Sequence, residues 1–499
     1  MRSRSPKSWS KLSKELLFVA RKWAPERPAM LPSGALRVFF VSIFGFVQRG
    51  HFRYSRCMLK NAGLLTLGLA LLVPSSGVWA QTPASSAPAV EEPLLKTTPY
   101  LQAMSQNSVI ITWHTSRPAY SWVDYRPEGS TEPPMNAISS TYGLKDVGLV
   151  QKITLSDLQP GVTYTYSISS REVKEILPYK FTFGKEATLR EKNGKPLSFT
   201  TWPEEADTFS FVMINDLHDD NKKHANLIRV TDVPTADFVC YNGDIVTDKN
   251  QGGDIIKFFL QTAVDSYAWE KPFFMLRGNH ETRGAFSRNL HEFFPTQTDQ
   301  FYYTFTYGDV FFVNLDCGED KTDDSKEYGG LVDFDSYRSE QIPWLEKVVQ
   351  LPAYKNARYR VFFCHIPPAG GGEQNVEVDL IKADGTRETQ TDFSKAWHGE
   401  KEIRDKFLPI LLDNKADLLL SGHTHRLLNC EYRRGNDRLP VLINGNVDGV
   451  RIDVSPERIF MKVVNQKGEE VITKEVRPRS EQVRVAPNRW QKAGQTLIQ

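Results

Sequence analysis

Five continuous apolar runs dominate the chain between residues 209 and 426, and each of them ends in polar residues. They read FSFVMIND, ADFVCYNGD, KPFFMLRGNHE, YRVFFCHIPP and ADLLLSGHTHR, starting at residues 209, 236, 271, 359 and 416. Such runs are typical of strands that are buried on both faces. Helical patterns lie between or beside them at 221–230, 252–269, 339–351 and 402–414. This alternation predicts an α/β layered fold that begins near residue 208.

The preceding segment, residues 95–203, has a different pattern. Short β-branched and aromatic stretches are separated by turn residues, and they lie at 108–115, 121–127, 151–170 and 195–203. This spacing predicts a small all-β sandwich. None of its residues forms a pattern that is typical of a catalytic site.

Residues 58–80 have the pattern of an export signal peptide. Lys60 precedes an apolar run at 62–73, and small or slender residues precede the expected cleavage after Ala80. The run is short for a membrane span, so we expect no stable span in the mature protein. Residues 81–94 are rich in Pro, Ala and Ser and predict a flexible linker. The sequence therefore predicts an exported protein, either periplasmic or secreted.

The first 57 residues do not fit an ordinary signal-peptide start. They are basic and contain a second short apolar run at 38–47. We interpret residues 1–57 as a non-native extension ahead of a true start at Met58. An unusual membrane-targeting leader is the alternative interpretation.

Composition narrows the function classes. The chain has 499 residues, of which 40% are hydrophobic, and its formal net charge is +2, so nothing global predicts specific nucleic-acid binding. Its five cysteines form no CxxC motif, which argues against a disulfide scaffold and a cysteine-based zinc site. Cys240 and Cys364 end apolar runs and are expected to be buried free thiols.

The polar residues at the ends of the five runs include many metal-binding side chains. They are Asp216, His218, Asp244, Asn279, His280, His365, His423 and His425. Ligands of open α/β sheets bind at the carboxyl ends of the strands, so we expect these side chains to lie together. Five of the ten histidines of the chain fall in this set, which packing alone hardly explains.

This donor set favours transition metals. Imidazole and carboxylate together suit Fe, Mn or Zn, whereas Ca and Mg favour all-oxygen ligands. Eight groups exceed what one ion binds, so the sequence predicts two ions, divalent or of mixed valence. Such a pair clamps the attacking and leaving oxygens of an in-line displacement, with hydroxide between the ions as the nucleophile. Gly243, Gly278 and Gly422 each precede a predicted ligand at a turn where a Cβ would obstruct the backbone.

The five blocks also resemble a known family. DLH at 216–218, GD at 243–244, GNHE at 278–281, the strand ending in His365, and GHTH at 422–425 are similar to the motifs of calcineurin-like metallophosphoesterases. This resemblance implies a layered β-sandwich flanked by helices, at residues 207–465. Residues 95–203, with PYLQ, ITWHT and LQPGVTYTY, resemble the fibronectin type III-like N-terminal domain of purple acid phosphatases. Residues 466–499 are predicted to be a C-terminal strand and a polar tail, with the basic residues at 474–492 in the tail.

The family resemblance implies a role for each site residue. It implies that the first metal is bound by Asp216, His218 and His425. It implies that the second metal is bound by Asn279, His365 and His423. Asp244 bridges both ions, and His280 stabilises phosphoryl oxygens or protonates the leaving alkoxide. Glu281 is expected to anchor the loop rather than to take part in the chemistry.

The sequence departs from the purple acid phosphatase pattern at two positions. Those enzymes have a Tyr that binds ferric iron where this chain has Thr247, and they lack a counterpart of His218. The resemblance therefore implies a colourless site that is not committed to ferric iron. Asp248 lies one residue beyond the position where other branches place an Asp that holds the catalytic His. It either orients His280 or caps the loop.

Further residues carry weaker predictions. His398 either contacts substrate or caps the following helix. His224 and His291 are expected at the surface. Arg283 and Arg426 lie beside site blocks and either meet phosphate or have a structural or solvated role.

The predicted activity is metal-dependent hydrolysis of phosphate esters, with a small phosphorylated substrate and a preference for monoesters. Diesters, nucleotides, pyrophosphates and lipid head groups stay open as substrates. The polar stretch 369–396 is predicted to be a loop beside the site that decides among them. A non-catalytic surface-binding protein is the alternative from another class, and the complete ligand set counts against it.

Overall fold

The N-terminal part of the structure is all-β. The computed structural model describes residues 91–479, so the predicted extension 1–57, the signal peptide 58–80 and most of the linker 81–94 lie outside the described residues. The strands of this part are β1 (Tyr100–Gln102), β2 (Val109–Pro127), β3 (Met135–Ile138), β4 (Ser140–Thr141), β5 (Leu144–Lys145), β6 (Gly148–Leu155), β7 (Thr163–Leu177), β8 (Lys180–Leu189), β9 (Glu191–Lys192), β10 (Lys195–Pro196) and β11 (Ser198–Thr200).

Strand β2 organises this sandwich. Its first half pairs with β1 and β6, and its second half pairs with β3 and β7, with an irregularity between His114 and Ala119. The sequence pattern predicted two separate strands at 108–115 and 121–127, and this detail is wrong. One bent strand of 19 residues passes through both stretches.

Residues from 209 onward form two mixed sheets. Their strands are β12 (Phe209–Ile214), β13 (Phe238–Asn242), β14 (Phe273–Leu276), β15 (Tyr303–Tyr307), β16 (Val310–Leu315), β17 (Tyr359–Cys364), β18 (Glu377–Ile381), β19 (Arg387–Gln390), β20 (Leu418–Ser421), β21 (Leu428–Arg434), β22 (Asp437–Ile443), β23 (Asp448–Val454), β24 (Ile459–Asn465) and β25 (Glu470–Val476). The six-stranded sheet has the order β14-β13-β12-β23-β24-β25, and the eight-stranded sheet has the order β15-β16-β17-β20-β22-β21-β18-β19. All five predicted core strands are confirmed as β12, β13, β14, β17 and β20.

The helices of the described residues lie between these strands. They are α1 (Asn221–Val230), α2 (Gly252–Ile255), α3 (Gln261–Ser266), α4 (Leu290–Phe293), α5 (Phe334–Val348), α6 (Pro352–Asn356), α7 (His398–Lys406) and α8 (Leu408–Asp413). A π-helical turn, Ile256–Leu260, joins α2 to α3. Short 3₁₀ turns lie at Val233–Thr235, His280–Thr282 and Ala285–Asn289. No helix within residues 91–479 is both long and apolar enough to cross a bilayer.

The two sheets pack face to face through aromatic side chains. Phe211 on β12 lies 5.6 Å from Phe312 on β16 and 6.2 Å from Phe363 on β17, measured between ring centroids. Burial of such rings supplies much of the hydrophobic stabilisation of a core. The outer face of the six-stranded sheet packs with Leu227 of α1 and Phe259 of the π turn. Helices α5, α7 and α8 pack on the outer face of the other sheet. These layers agree with the predicted β-sandwich flanked by helices.

The parallel strands place the site. In the six-stranded sheet β12, β13 and β14 are parallel, and in the eight-stranded sheet β16, β17 and β20 are parallel. The carboxyl ends of the two sheets meet, because His365 Nδ1 after β17 lies 2.7 Å from Asn242 O on β13, and the His423 N–H after β20 donates to Asp216 Oδ2 after β12 over 3.0 Å. The polar ends of the predicted strands therefore lie at one edge of the sandwich.

Three other predictions need correction. Residues 369–396 are not one loop, because β18 and β19 lie within them at the end of the eight-stranded sheet. His224 is buried rather than exposed, and its Nε2 pairs with the Tyr241 hydroxyl over 2.6 Å. Lys474 belongs to β25 and not to a polar tail, since its buried Nζ donates to the carbonyl oxygens of Cys430 on β21 and Val441 on β22.

Candidate metal centre

The structure brings all eight strand-end side chains together. One group of side chains that could hold a metal ion consists of Asp216, His218 and His425, and a second consists of Asp244, His365 and His423. Within each group the candidate ligand atoms lie within 4.8 Å of one another. Asn279 joins the second group, since its Oδ1 lies 3.0 Å from His423 Nδ1. A third group places Asp244 together with His218 and His280.

Left-handed backbone conformations are concentrated at this site. Five of the predicted ligands have positive φ, between 49° and 69°. They are Asp216, His218, Asp244, His423 and His425. For a residue other than glycine this conformation is uncommon and costs energy, and it persists only where the surrounding structure enforces it. The turns after the strands therefore aim the side chains at a common centre at the expense of local backbone energy.

Two glycines allow the turns to approach one another. Gly243 has a φ of 81°, and a Cβ added there would lie 2.4 Å from the His365 ring. A Cβ added at Gly278 would lie 2.3 Å from Asp244 Oδ1 and 2.5 Å from the Asp244 backbone nitrogen. Any side chain at either position would displace a candidate ligand.

Two buried polar atoms face the centre without a hydrogen bond. Asp216 Oδ1 and His365 Nε2 have no hydrogen-bond partner among the described residues. Nε2 of His365 nevertheless lies 3.1 Å from Asp244 Oδ2, so the two atoms are close but not aligned for a hydrogen bond. Unpaired buried polar atoms are costly, and cations bound at the centre would satisfy both. This arrangement and the mixed nitrogen and oxygen donors fit a pair of transition-metal ions.

Other buried contacts orient these side chains. His365 Nδ1 lies 2.7 Å from Asn242 O, so Nδ1 carries the proton and Nε2 faces the centre. Asp216 Oδ2 accepts from Asn215 Nδ2 over 2.6 Å and from the His423 N–H over 3.0 Å, which leaves Oδ1 for a metal. Asn444 Nδ2 in turn donates to Asn215 Oδ1 over 2.7 Å.

The electrostatics favour a cation at this point. Burial raises the pKa of Asp244, but the neighbouring His365 outweighs it and holds this pKa at about 2. Burial lowers the pKa of His365, yet Asp244 and Asp216 raise it to about 10. Metal binding displaces such a proton, because an imidazole must be neutral at the nitrogen that binds the ion. Burial and His365 lower the pKa of His423 to about 4, which keeps this imidazole neutral.

His280 lies at the exposed rim of the centre. Its ring centroid is 4.8 Å from that of His218, and its Nδ1 lies 3.1 Å from Asp248 Oδ1. Asp248 therefore contacts His280, as one of its two predicted roles requires. Burial and Arg283 lower the pKa of His280, whereas Asp244 and Asp248 oppose this shift.

Thr247 contacts the extra candidate ligand. Its hydroxyl Oγ1 lies 3.3 Å from His218 Nδ1, so the hydroxyl accepts from Nδ1–H and Nε2 faces the centre. The two departures from the purple acid phosphatase pattern thus meet in space. The larger Tyr ring at position 247 would take up space beside the His218 ring.

Glu281 anchors the turns around Asp244. Its Oε2 accepts from the backbone nitrogens of Asp244 and Gly278 over 2.8 and 2.7 Å. Its Oε1 accepts from Ile245 and Val246 over 2.7 and 3.1 Å. The side chain is buried and faces backbone donors. This contact pattern agrees with the predicted loop-anchoring role.

The residues with weaker predictions differ in their distance from the centre. His398 is the first residue of α7, and its Nε2 pairs with Asp335 Oδ1 over 2.8 Å. It contacts neither candidate metal group. The Arg426 side chain is exposed, whereas Arg283 turns to the rim and lies against His280.

Sequence reasoning did not identify several residues that shape the site. Asn215 and Asn444 hold Asp216 in place, and Glu319 and Asp320 hold Arg283. Asn215 directly precedes a predicted ligand, and Glu319 and Asp320 follow the buried strand β16. Their positions at strand ends were the available signal, because the predicted site blocks stand at strand ends as well.

Comparisons with known proteins agree with this fold. Residues 209–427 match the calcineurin-like phosphoesterase family model, and residues 97–183 match the model of the purple acid phosphatase N-terminal domain. Among solved structures, a purple acid phosphatase from yellow lupin (Lupinus luteus) seeds is 14% identical with a TM-score of 0.52, over 77% of this chain and 75% of that one. This likeness shows the fold.

Two bacterial structures match more weakly. A predicted phosphoesterase from Streptococcus pneumoniae is 11% identical with a TM-score of 0.24, over 55% of this chain and 99% of that one. The protein TT1561 of Thermus thermophilus is 12% identical with a TM-score of 0.31, over 54% of this chain and 100% of that one. These two scores are too low to carry an argument. No curated protein matches the chain.

Proposed function

We propose that two metal ions act together in this protein to hydrolyse phosphomonoesters. The chain is a metal-dependent phosphoester hydrolase, and its calcineurin-like phosphoesterase domain follows a purple acid phosphatase N-terminal domain. The first ion would be held by Asp216, His218 and His425. The second ion would be held by Asn279, His365 and His423. Asp244 would be a ligand of both.

The position of Asp244 between the two groups is the observation that carries this proposal. Its Oδ2 lies 3.1 Å from His365 Nε2 and 3.9 Å from His218 Nε2, so one carboxylate oxygen lies near imidazoles of both groups. A carboxylate shared by two cations is no longer an uncompensated buried charge. The bridging position therefore explains why an acid stands at the end of a fully buried strand.

The chemistry is the conversion of a phosphomonoester and water to an alcohol and orthophosphate. The metal ions, when bound, activate the water and neutralise charge on the phosphoryl group. His280 lies at the rim of the centre and gives a proton to the oxygen of the departing alcohol as the old P–O bond breaks. Asp248 accepts from His280 Nδ1–H, which orients the ring and leaves Nε2 for this proton transfer. The floor of the site excludes bulk water, because Asp216, Asp244 and His365 are buried.

Metal analysis combined with a substrate panel tests this function. We expect two transition-metal ions per chain and turnover of 4-nitrophenyl phosphate that exceeds turnover of bis(4-nitrophenyl) phosphate, nucleotides, pyrophosphate and a phospholipid. A protein that holds two ions yet cleaves none of these compounds would contradict the proposal. Preferred cleavage of the diester or of pyrophosphate would keep the metal centre and replace the substrate class.

We also propose that the protein is exported. The support is the signal-peptide pattern at residues 58–80, with cleavage expected after Ala80. N-terminal sequencing of the protein from its native host, after separation of cell fractions, tests this. A mature chain that begins at Gln81 in an extracytoplasmic fraction is expected, whereas a full-length chain in the cytoplasm would contradict the proposal.

A further inference from the structure

Arg283 points one end of its guanidinium at the rim of the centre. Its Nε and Nη2 donate to the two carboxylate oxygens of Glu319, each over 2.7 Å, and Nη2 also reaches Asp320 Oδ1 at 3.4 Å. Nη1 is 3.2 Å from Nε2 and 3.4 Å from Nδ1 of His280 and pairs with no carboxylate of the described residues. A guanidinium has five N–H donors, and the two on Nη1 lie on the side of His280.

The opposite side of Arg283 is held firmly. The Glu319 side chain is fully buried, and Asp320 is nearly so. A bidentate pair between a guanidinium and a carboxylate fixes direction as well as distance. Nη1 is therefore preorganised at the rim, and little side-chain entropy is lost when it meets an anion.

The neighbour of Nη1 is an imidazole and not an anion. Nδ1 of His280 already pairs with Asp248, and Nε2, which lies 3.2 Å from Nη1, offers no acceptor to it while it carries the proton for the leaving group. One cationic donor end thus faces the position where the reacting phosphoryl group is expected. Buried or half-buried donors of this kind are suited to an oxyanion.

We propose that Arg283 binds a phosphoryl oxygen of the substrate and so selects phosphomonoesters over phosphodiesters. This inference rests on the proposed function and names a specificity residue for it. A phosphomonoester dianion has three non-bridging oxygens that share its charge. In a diester one of these oxygens carries a second ester group and no charge, so it pairs poorly with a guanidinium. The contact to Arg283 therefore stabilises a bound monoester more than a bound diester.

A purely positioning role for Arg283 makes a different prediction. If Arg283 only orients His280, its loss slows the cleavage of monoesters and diesters alike. A role in recognition changes the ratio between the two substrates and also weakens the binding of inorganic phosphate. The ratio and the phosphate affinity therefore separate the two roles.

The test uses the metal-loaded full chain with R283M and R283K, and with R288M as a matched control. Arg288 lies five residues further along, is exposed, and within residues 91–479 donates only to the Leu331 carbonyl. The readouts are kcat/KM for 4-nitrophenyl phosphate and methyl 4-nitrophenyl phosphate, orthophosphate affinity by calorimetry, and metal content. For R283M we expect a loss of about 100-fold in kcat/KM for the monoester and in orthophosphate affinity, as for removal of an oxyanion donor. We expect a loss of less than about fivefold for the diester, since its third oxygen carries no charge for the guanidinium to pair with.

Each outcome bears on the proposal. R288M is expected to match the wild type, and R283K is expected to keep part of the monoester preference because it keeps the charge. If R283M does not fold, R283K decides by whether its losses are larger for the monoester. Equal losses for both esters, or unchanged orthophosphate affinity in a variant with two bound ions, would overturn the proposal. If the wild type cleaves neither ester, the proposed function fails, and the orthophosphate affinity still decides the role of Arg283.

Discussion

The floor and the rim of the candidate metal centre are held in different ways. The floor consists of Asp216, Asp244 and His365, whose exposed fractions are 0, 2 and 0%. The rim consists of His218, His280 and His425, whose side chains are 21, 23 and 46% exposed. The difference lies in which atoms orient each group.

Backbone groups and the buried Asn215 orient the floor, whereas partly exposed side chains orient the rim. Asp244 Oδ1 accepts from the His280 N–H over 2.9 Å, and His365 Nδ1 pairs with a backbone carbonyl. At the rim, Thr247 holds His218 and Asp248 holds His280. A substitution in the floor therefore disturbs the fold and the metal together, while a substitution at the rim changes one contact at a time.

Asp244→Asn is expected to have the largest effect. The change removes the charge that both groups share and leaves His365 without its nearest anionic partner. We expect loss of bound metal and a fall in kcat/KM of more than about 10³-fold, since electrostatic stabilisation is usually the largest catalytic contribution. Elemental analysis and steady-state kinetics measure both. Activity that survives the change would show that Asp244 does not bridge.

His280→Ala tests the rim at its most reactive position. The variant is expected to keep two ions and to lose about 10²- to 10⁴-fold in kcat, the range that acid–base catalysis contributes. Loss of metal would instead make His280 a ligand and would remove the distinction between floor and rim.

Asp248→Asn is the matched variant for His280→Ala, because it keeps the imidazole and changes only its partner. Asp248 is half exposed, so its loss is expected to cost less than loss of the ring, about 10- to 100-fold in kcat. If the two variants lose the same activity, the contact to Asp248 determines the whole contribution of His280.

Thr247→Val tests how a rim ligand is oriented. Valine keeps the shape and removes the hydroxyl that accepts from His218 Nδ1. We expect the affinity for the first metal to fall by about 10- to 100-fold, with kcat at saturating metal nearly unchanged. Titration of the metal-free protein measures this affinity. Thr247→Ser keeps the hydroxyl and should restore it, and equal affinity in all three proteins would contradict the role.

The floor was easier to predict from the sequence than the rim. Continuous apolar runs that end in Asp or His are visible in the chain, and a buried parallel strand has one carboxyl end at which these residues can lie. The sequence left two roles open for Asp248 and did not indicate the contact between Thr247 and His218, because a shift of one residue in a turn changes which side chain it meets. The positive φ at Asp248 shows how the turn brings it to His280.

Contacts between residues that are far apart in the chain account for the other differences between the predicted and the observed structure. Glu319 lies 36 residues from Arg283 in the chain, and no local pattern joins them. The prediction that His224 is exposed failed because its Nε2 pairs with a buried tyrosine hydroxyl. A histidine on a helix gives no sign of such a partner. The elements could be predicted from local periodicity, whereas these pairings depend on tertiary packing.

His398→Gln is expected to have the smallest effect. It tests whether α7 contributes to the rim. His398 pairs with Asp335, which also pairs with Arg338, and none of these residues belongs to the groups of side chains around Asp216 and Asp244. Because the pair is partly exposed, we expect the free energy of unfolding to fall by less than about 1 kcal/mol. We expect kcat/KM for both ester classes to stay within about twofold of the wild type, as for a surface change away from the reacting groups. A loss of kcat/KM with only one ester class would show that α7 contributes to the rim, because a change in the ratio between two substrates requires a contact to the substrate.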